Sequence, residues 1–337
     1  MFNKNPQPKH FNWKYVIRIN LVCLRALGMW PEGKAGYTLT TYTFYSLLMN
    51  LFVEGHNIFQ AAYISLIYQD LQALVAIFFV LVTDWNAALK IYFFVRNVRL
   101  LQHLMADLDT EEFQPKSSHQ ADLLKPTLNF WYRMYKMYWV ITITDLFLLS
   151  AFPIIDGSYK QHRLPFWAWY PYNVTSSPLY EATYFYQVYS TWFLALGNLN
   201  MDSMTGALMM YIAAQCDLLS DNLKNLSNDD GKFNERLVLY IKHHKKIISF
   251  SNTANQFFNE LTLGQFFTTC ASMALAMFQL TVVGPTSSEG FSLLFYVVAM
   301  IVQNFFYCWF GNEAELRDTP STPPVVYVFT SGVEGRL

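Results

Sequence analysis

Asp84, Lys90, Lys136 and Asp145 stand inside otherwise apolar runs, and Asp202 stands at the inner end of another. Charge in hydrocarbon is costly, so such residues pair with one another, line a wet path or meet a ligand. Lys90 and Asp202 each fall about 20 residues in from the same end of their runs, a shared depth at about 1.5 Å per helical residue. An interhelical ion pair between them is expected; separate snorkelling to the nearer surface is the alternative. Asp84 sits nearer mid-run and Asp145 in the opposite half. Either can touch a ligand, line a wet cavity or hydrogen-bond to a neighbouring helix.

His243-His244, in a run with Lys242, Lys245 and Lys246, is the other cluster with donor chemistry. Metal ligation needs further donors at helical spacing, and none is nearby. A basic face beside anionic lipid explains the run. Cys23, Cys216, Cys270 and Cys308 form no CxxC pair, and no zinc ribbon, redox motif or structural disulfide is expected. There is no GxSxG, HExxH or phosphate-binding glycine loop. Asp109-Thr110-Glu111-Glu112 reads as a solvated acidic loop. Neither an enzyme, a metal site nor a cofactor is expected.

The elements that carry these residues are long and apolar. Of 337 residues, 53% are hydrophobic, 18% aromatic and 14% charged, where soluble domains carry about a quarter charged residues. The net charge of -1 gives no argument for nucleic acid. A membrane-spanning helix needs about 20 apolar residues. Six runs qualify: 35–53, 72–95, 134–152, 182–201, 261–284 and 291–311. The second carries Asp84 and Lys90, and the third Lys136 and Asp145. The expected fold is all-α, a polytopic bundle in the lipid bilayer.

Lys and Arg alternate between the connections. They are dense before the first run (Lys4, Lys9, Lys14, Arg18, Arg25, Lys34), after the second (Arg96, Arg99, Lys116, Lys125) and after the fourth (Lys224, Lys232, Arg236, Lys242, Lys245, Lys246). The segment 54–71 has none, and 153–181 has only Lys160 and Arg163. Positive residues favour the inner side, so the N-terminus is expected in the cytosol. Arg18 and Arg25 share one face of an amphipathic segment, read as lying on the inner membrane surface, with an ordinary packed helix as the alternative. Asn173-Val174-Thr175 falls in an outer loop and is a candidate glycosylation site. Asn225-Leu226-Ser227 falls inside. The outer stretch Pro165-Phe166-Trp167-Ala168-Trp169-Tyr170-Pro171-Tyr172 reads as an aromatic belt or as a lid over an outward-opening pocket.

The stretch 213–258 carries two helical extensions. Leu219, Leu223 and Leu226 continue a stripe from the fourth run, Asn228-Asp229-Asp230-Gly231 breaks the chain, and Leu237, Ile241, His244 and Ile248 define the next helix face.

Three segments resemble one family. Tyr307-Cys308-Trp309-Phe310-Gly311-Asn312-Glu313 resembles the end of the sixth span of insect odorant receptors. The segment from Leu239 to Phe250 resembles their cytosolic segment before the fifth span. The basic N-terminal segment leading to Leu27-Gly28-Met29-Trp30-Pro31 is also similar. The resemblance covers about residues 10 to 316. It implies a heteromeric tetramer with a shared co-receptor subunit in olfactory sensory neurons. It also implies a pocket in the outer half of the bundle for a small volatile apolar ligand, and a cation pore lined by a seventh span, without a G protein. A gustatory receptor of the same superfamily and a small-molecule transporter are the competing readings. On this resemblance the odorant-binding candidates are Phe78, Phe79 and Val82 on the second span and Phe147, Leu148 and Ala151 on the third. Tyr184, Gln187 and Ser190 on the fourth and Tyr296 and Met300 on the sixth complete the set. Residues 317–337 depart from the family. Pro320, Pro323 and Pro324 oppose a helix, and Val325-Val326-Tyr327-Val328-Phe329 is too short to span. This tail is read as replacing the seventh span, leaving conduction by the chain as written in doubt.

Overall fold

A computed structural model of the chain describes residues 11–31, 38–226, 232–284 and 286–318. Its described elements are helical. Two short helices, α1 (Arg18–Ala26) and α4 (Val98–Asp107), accompany six long ones: α2 (Thr41–Ile67), α3 (Leu71–Arg96), α5 (Ser118–Ile155), α6 (Leu179–Lys224), α7 (Phe233–Val283) and α8 (Ser288–Asp318).

The helix ends follow capping chemistry. Thr40 accepts from Thr43 N and Asp70 accepts from Ala73 N, which satisfies free donors at the starts of α2 and α3. Helix α1 ends in a Schellman turn: Met29 N donates to Leu24 O at 2.8 Å and Gly28 N to Arg25 O at 3.1 Å. That turn places Gly28 at φ +76°, where an L side chain is strained.

All six long helices extend past the apolar runs that announced them. The first run stops at Glu54, yet α2 continues to Ile67. Its continuation is polar on the inner face, where Val53, His56, Asn57 and Gln60 are buried. Hydropathy counting ends a span at such residues because it cannot see that they face protein. Helices α6 and α7 run far beyond the fourth and fifth runs at the basic end of the bundle, as the sequence indicated. The turn residues 227–231 and the tail from 319 onward lie outside the described residues.

Helix α6 is the axis of the bundle and packs on α1, α2, α3, α5, α7 and α8. Every residue from Gly197 to Gln215 is buried. That position explains its polar content: Asn198, Asn200 and Asp202 bond to neighbouring helices, while Ser203 and Thr205 donate to carbonyls of α6 itself. By length and composition alone, three described stretches qualify to cross a membrane: Ala73–Arg96, Phe233–Val283 and Gly290–Arg317. The outer surface carries the apolar residues expected against lipid. Phe44, Leu47 and Leu51 on α2, Leu263 and Phe267 on α7, and Phe291, Val298 and Ile301 on α8 are all exposed. The fold is that of a polytopic membrane protein.

Three sequence expectations at the basic end are corrected. The inward face of α7 is His243, Ile247, Phe250, Ala254, Phe257 and Leu261, one residue off the expected stripe through His244 and Ile248. Adjacent isoleucines at 247 and 248 leave the local register degenerate, and the downstream aromatics decide it. His243 therefore leaves the basic surface and donates from Nε2 to Gln215 Oε1 at 3.0 Å. Burial pushes its pKa down to about 4, and the nearby Lys116 cation acts in the same direction. The acidic loop is docked: Lys14 meets Asp109 at 2.5 Å and Lys246 meets Glu112 at 3.0 Å. A backbone N–H and the Lys246 ammonium hold Glu112 below the usual carboxylate range. The N-terminal segment packs as well. Trp13, Ile17 and Leu24 are fully buried, and Tyr211 OH donates to Trp13 O at 2.8 Å.

Candidate functional site

Two polar centres lie within the bundle, one at each level. The deeper centre is built on α3 and α6. Lys90 Nζ stands 2.6 Å from Asp202 Oδ1 and 2.7 Å from Asn198 Oδ1, with both charged side chains almost wholly buried. Asp202 also accepts from Tyr307 OH at 2.5 Å, from Tyr138 OH at 3.4 Å and from Gln303 Nε2. Four helices thus converge on one carboxylate: α3, α5, α6 and α8. Every strong donor there is satisfied from within the protein, which suits a fastener better than a ligand site.

The outer centre is a cavity of about 70 Å³. Its walls are Gln60 from α2, Ala76, Ile77, Phe79 and Val80 from α3, Leu149 from α5, and Ser292 and Leu293 from α8. Helices α3 and α5 both pack on α6 but are not a closely packed pair themselves, and the cavity occupies the space between them. The segment Arg163, Pro165, Phe166 and Trp167 closes the top. The aromatic loop therefore acts as a lid. Phe166 is buried, Trp167 stacks on Tyr63 with ring centroids 6.0 Å apart, and Trp169 N donates to Phe59 O at 3.0 Å.

Gln187 is the clasp of that lid. It accepts from Phe166 N at 3.0 Å and donates to Phe166 O at 3.0 Å and to Tyr170 OH at 3.1 Å. With its amide fully engaged it holds the loop and does not face the cavity. Phe79 is the one expected ligand residue in the wall. Tyr296 and Met300 lie directly beneath, in a buried cluster with Phe79 and Leu293. Tyr296 sits edge-on to Phe79 at 5.4 Å, and its OH donates to Phe79 O.

The other expected residues go elsewhere. Phe78 and Phe147 point outward, Phe147 being 61% exposed. Val82, Leu148 and Ala151 are half-buried and outside the wall. Tyr184 clamps α6 to α5 by donating to Ser150 O at 2.5 Å. Ser190 is buried on α6 beneath Gln187. Asn173 is exposed beside the lid, accepting from Thr175 N and Oγ1.

Sequence reasoning missed the second half of α2. Gln60 donates from Nε2 to His56 Nε2 at 3.1 Å, which puts the imidazole proton on Nδ1. The i, i+4 pairing of two polar residues in a stretch without Lys or Arg was the available signal, hidden because 54–71 read as a loop. A wider concavity of about 290 Å³ opens at the basic end among Lys14, Arg18, Arg25 and Trp30. It is cationic and open, whereas a dry aromatic enclosure with few polar groups is what an apolar guest needs. The outer cavity is the better site on chemical grounds. Among the described residues no group of three or more His, Cys, Asp or Glu is placed to hold a metal.

Comparison with known proteins bears on the family and the fold. Residues 66–317 match the family described as 7tm Odorant receptor. The chain is similar to Odorant receptor Or1 of Anopheles gambiae, 24% identical over 341 residues that span 92% of this chain and 80% of that one. It is 22% identical to Odorant receptor 46a, isoform A, of Drosophila melanogaster over 306 residues, 87% of this chain and 78% of the relative. The insect olfactory receptor OR5 from Machilis hrabei superposes with a TM-score of 0.76 at 18% identity, covering 90% of this chain and 80% of that structure. The same receptor in complex with eugenol also gives 0.76 at 18% identity, covering 88% and 78%.

Proposed function

This chain belongs to the 7tm odorant receptor family, and from that premise we propose that it is the ligand-binding subunit of an odorant-gated cation channel. The observation that carries the reading is the lidded cavity between α3 and α5, walled by Phe79, Leu149, Phe166 and Leu293. A mostly apolar wall with the Gln60 amide and Ser292 hydroxyl in it, and Arg163 at the lid, suits a small volatile molecule. The partner is a shared co-receptor subunit in a heterotetramer, the location is the plasma membrane of olfactory sensory neurons, and the basic end faces the cytosol. Eugenol is what the OR5 structure holds. For this chain it supports only the class of guest, a compact and mostly apolar organic molecule.

The described helices supply the ligand site. A pore-lining seventh helix is not among the described residues, and the family match ends at Arg317, near the end of α8. Conduction is tested by co-expressing the co-receptor with the chain, and in parallel with a chimera that carries a family-type seventh helix after Arg317. Odorant-evoked current that disappears with Phe79→Ala is the expected result. Current that is indifferent to Phe79→Ala and Leu293→Ala would place the ligand elsewhere. Orientation is read in the same cells. Glycosylation at Asn173 and none at Asn225 is expected, and the reverse pattern would invert the topology.

A further inference from the structure

The polar groups around the outer cavity are out of balance. One helical turn deeper than the wall residues Gln60, Val80, Leu149 and Ser292 stand His56, Asp84, Asp145 and Tyr296, one from each of four helices. All four floor residues are buried. Among the described residues, Asp84 Oδ2 and Asp145 Oδ1 have no hydrogen-bond partner. Gln60 Oε1, in the wall itself, and Asn57 Oδ1 beside the floor are likewise buried and unpartnered. Tyr296 lies within electrostatic reach of both floor carboxyl groups, and Glu54 on α2 lies within reach of Asp84.

Among the described residues the unpartnered donors at this level, His56 Nδ1 and Thr142 Oγ1, are neutral groups and bring no countercharge to the two carboxyl groups. Lys90 is taken by Asp202 at the deeper level. Arg163, in the lid, is turned toward Asp156 at 3.8 Å. Tyr296 OH is engaged with Phe79 O and Thr83 Oγ1. Buried acceptors without donors are costly, and buried carboxylates without a countercharge more so. What the floor lacks is a cation with several N–H donors and an apolar body. An ammonium group supplies three donors, a hydroxyl one.

We propose that the guest of this cavity is a small organic amine, with its ammonium group directed to the floor, where Asp84 and Asp145 offer carboxyl acceptors, and its apolar body held among Phe79, Phe166 and Leu293. Gln60 Oε1 accepts from the same nitrogen or from a second donor on the guest. Charge-assisted bonds of this kind are about twice as strong as neutral ones, so the amine outcompetes a neutral molecule of equal shape. The inference rests on the outer cavity being the ligand site, and the experiment separates the two ideas.

The full chain, purified into lipid nanodiscs, is titrated at neutral pH with phenethylamine, phenethyl alcohol and isoamyl acetate, with the rise in melting temperature as the readout. No pore is needed for this measurement. Phenethylamine is expected to bind about tenfold or more tighter than phenethyl alcohol. Asp84→Asn and Asp145→Asn are each expected to bring that preference to within about threefold. Equal or tighter binding of the alcohol or the ester overturns the amine inference and leaves the cavity reading standing. A preference for the amine that survives both substitutions overturns it as well. Failure of all three probes to bind removes the cavity reading itself. Should either variant fail to fold, the wild-type comparison of amine with alcohol decides alone.

Discussion

Removing Lys90 exposes what the deeper polar centre is for. In Lys90→Met the side chain keeps its length and loses its charge, and Asp202 is left in the core with Tyr138, Gln303 and Tyr307 as donors. A buried carboxylate stripped of its cation can escape by taking a proton. From a reference carboxyl pKa near 3.9, doing so at neutral pH costs about 4 kcal/mol, which caps the penalty. Three surviving donors ease it, so about 3 kcal/mol is expected, the lower end for a broken buried pair. Asp202→Asn is worse. It leaves the Lys90 ammonium facing Asn198 Oδ1 and a neutral amide. Shedding the lysine proton at neutral pH costs about 5 kcal/mol, the corresponding cap. The double variant Lys90→Met with Asp202→Asn carries no buried charge and is expected within about 2 kcal/mol of the parent. The coupling across the cycle is then at least about 3 kcal/mol, more than a hundredfold in the folding equilibrium. Denaturant titration of the four proteins in the same micelle, followed by tryptophan fluorescence, measures it. If the two single losses simply add in the double variant, the pair is not interacting and the account of this centre is wrong.

Two further outcomes follow from the basic end. His243 is neutral in its packed site and titrates near 4, against about 6.5 in an unfolded chain. As pH falls below about 6.5 the unfolded state takes the proton first, so stability is flat above that pH and declines toward pH 4, by up to about 3 kcal/mol. His243→Asn, which can still donate to Gln215, should flatten the slope of stability against pH in that window. Lys116, Lys246, His244 and Glu112 also face the site and stay in place, and an unchanged slope would assign the acid sensitivity to them. Gly28→Ala puts a Cβ at φ +76°, 3.0 Å from Ser46 Cα. It should cost about 2 kcal/mol from the left-handed backbone alone, read as a lowered denaturation midpoint. A neutral result would mean that the α1 turn relaxes freely.

What the sequence determined by itself is the class of fold and the partition of its charges. Long uncharged runs admit little but membrane helices, because an unpaired backbone in hydrocarbon is too costly. The Lys and Arg alternation separates the two ends. The equal depth of Lys90 and Asp202 was also legible, since helical rise converts residue count into height. Rotation about each helix axis was not. Phe78 and Phe79 are adjacent aromatics with the same propensity, yet one faces outward and the other lines the cavity. Ile247 and Ile248 present the same ambiguity on α7. Composition could not reveal that α6 is the axis, because Asn198 and Asp202 find their partners on helices distant in sequence. Nor could it show that His56 and Gln60 belong to the site, because a polar face turned inward reads as a loop when counted by hydropathy. Only the packing of six helices around α6 placed Asp84 and Asp145 beneath one cavity, since that juxtaposition joins residues on separate helices whose facing is set by contact and not by local pattern.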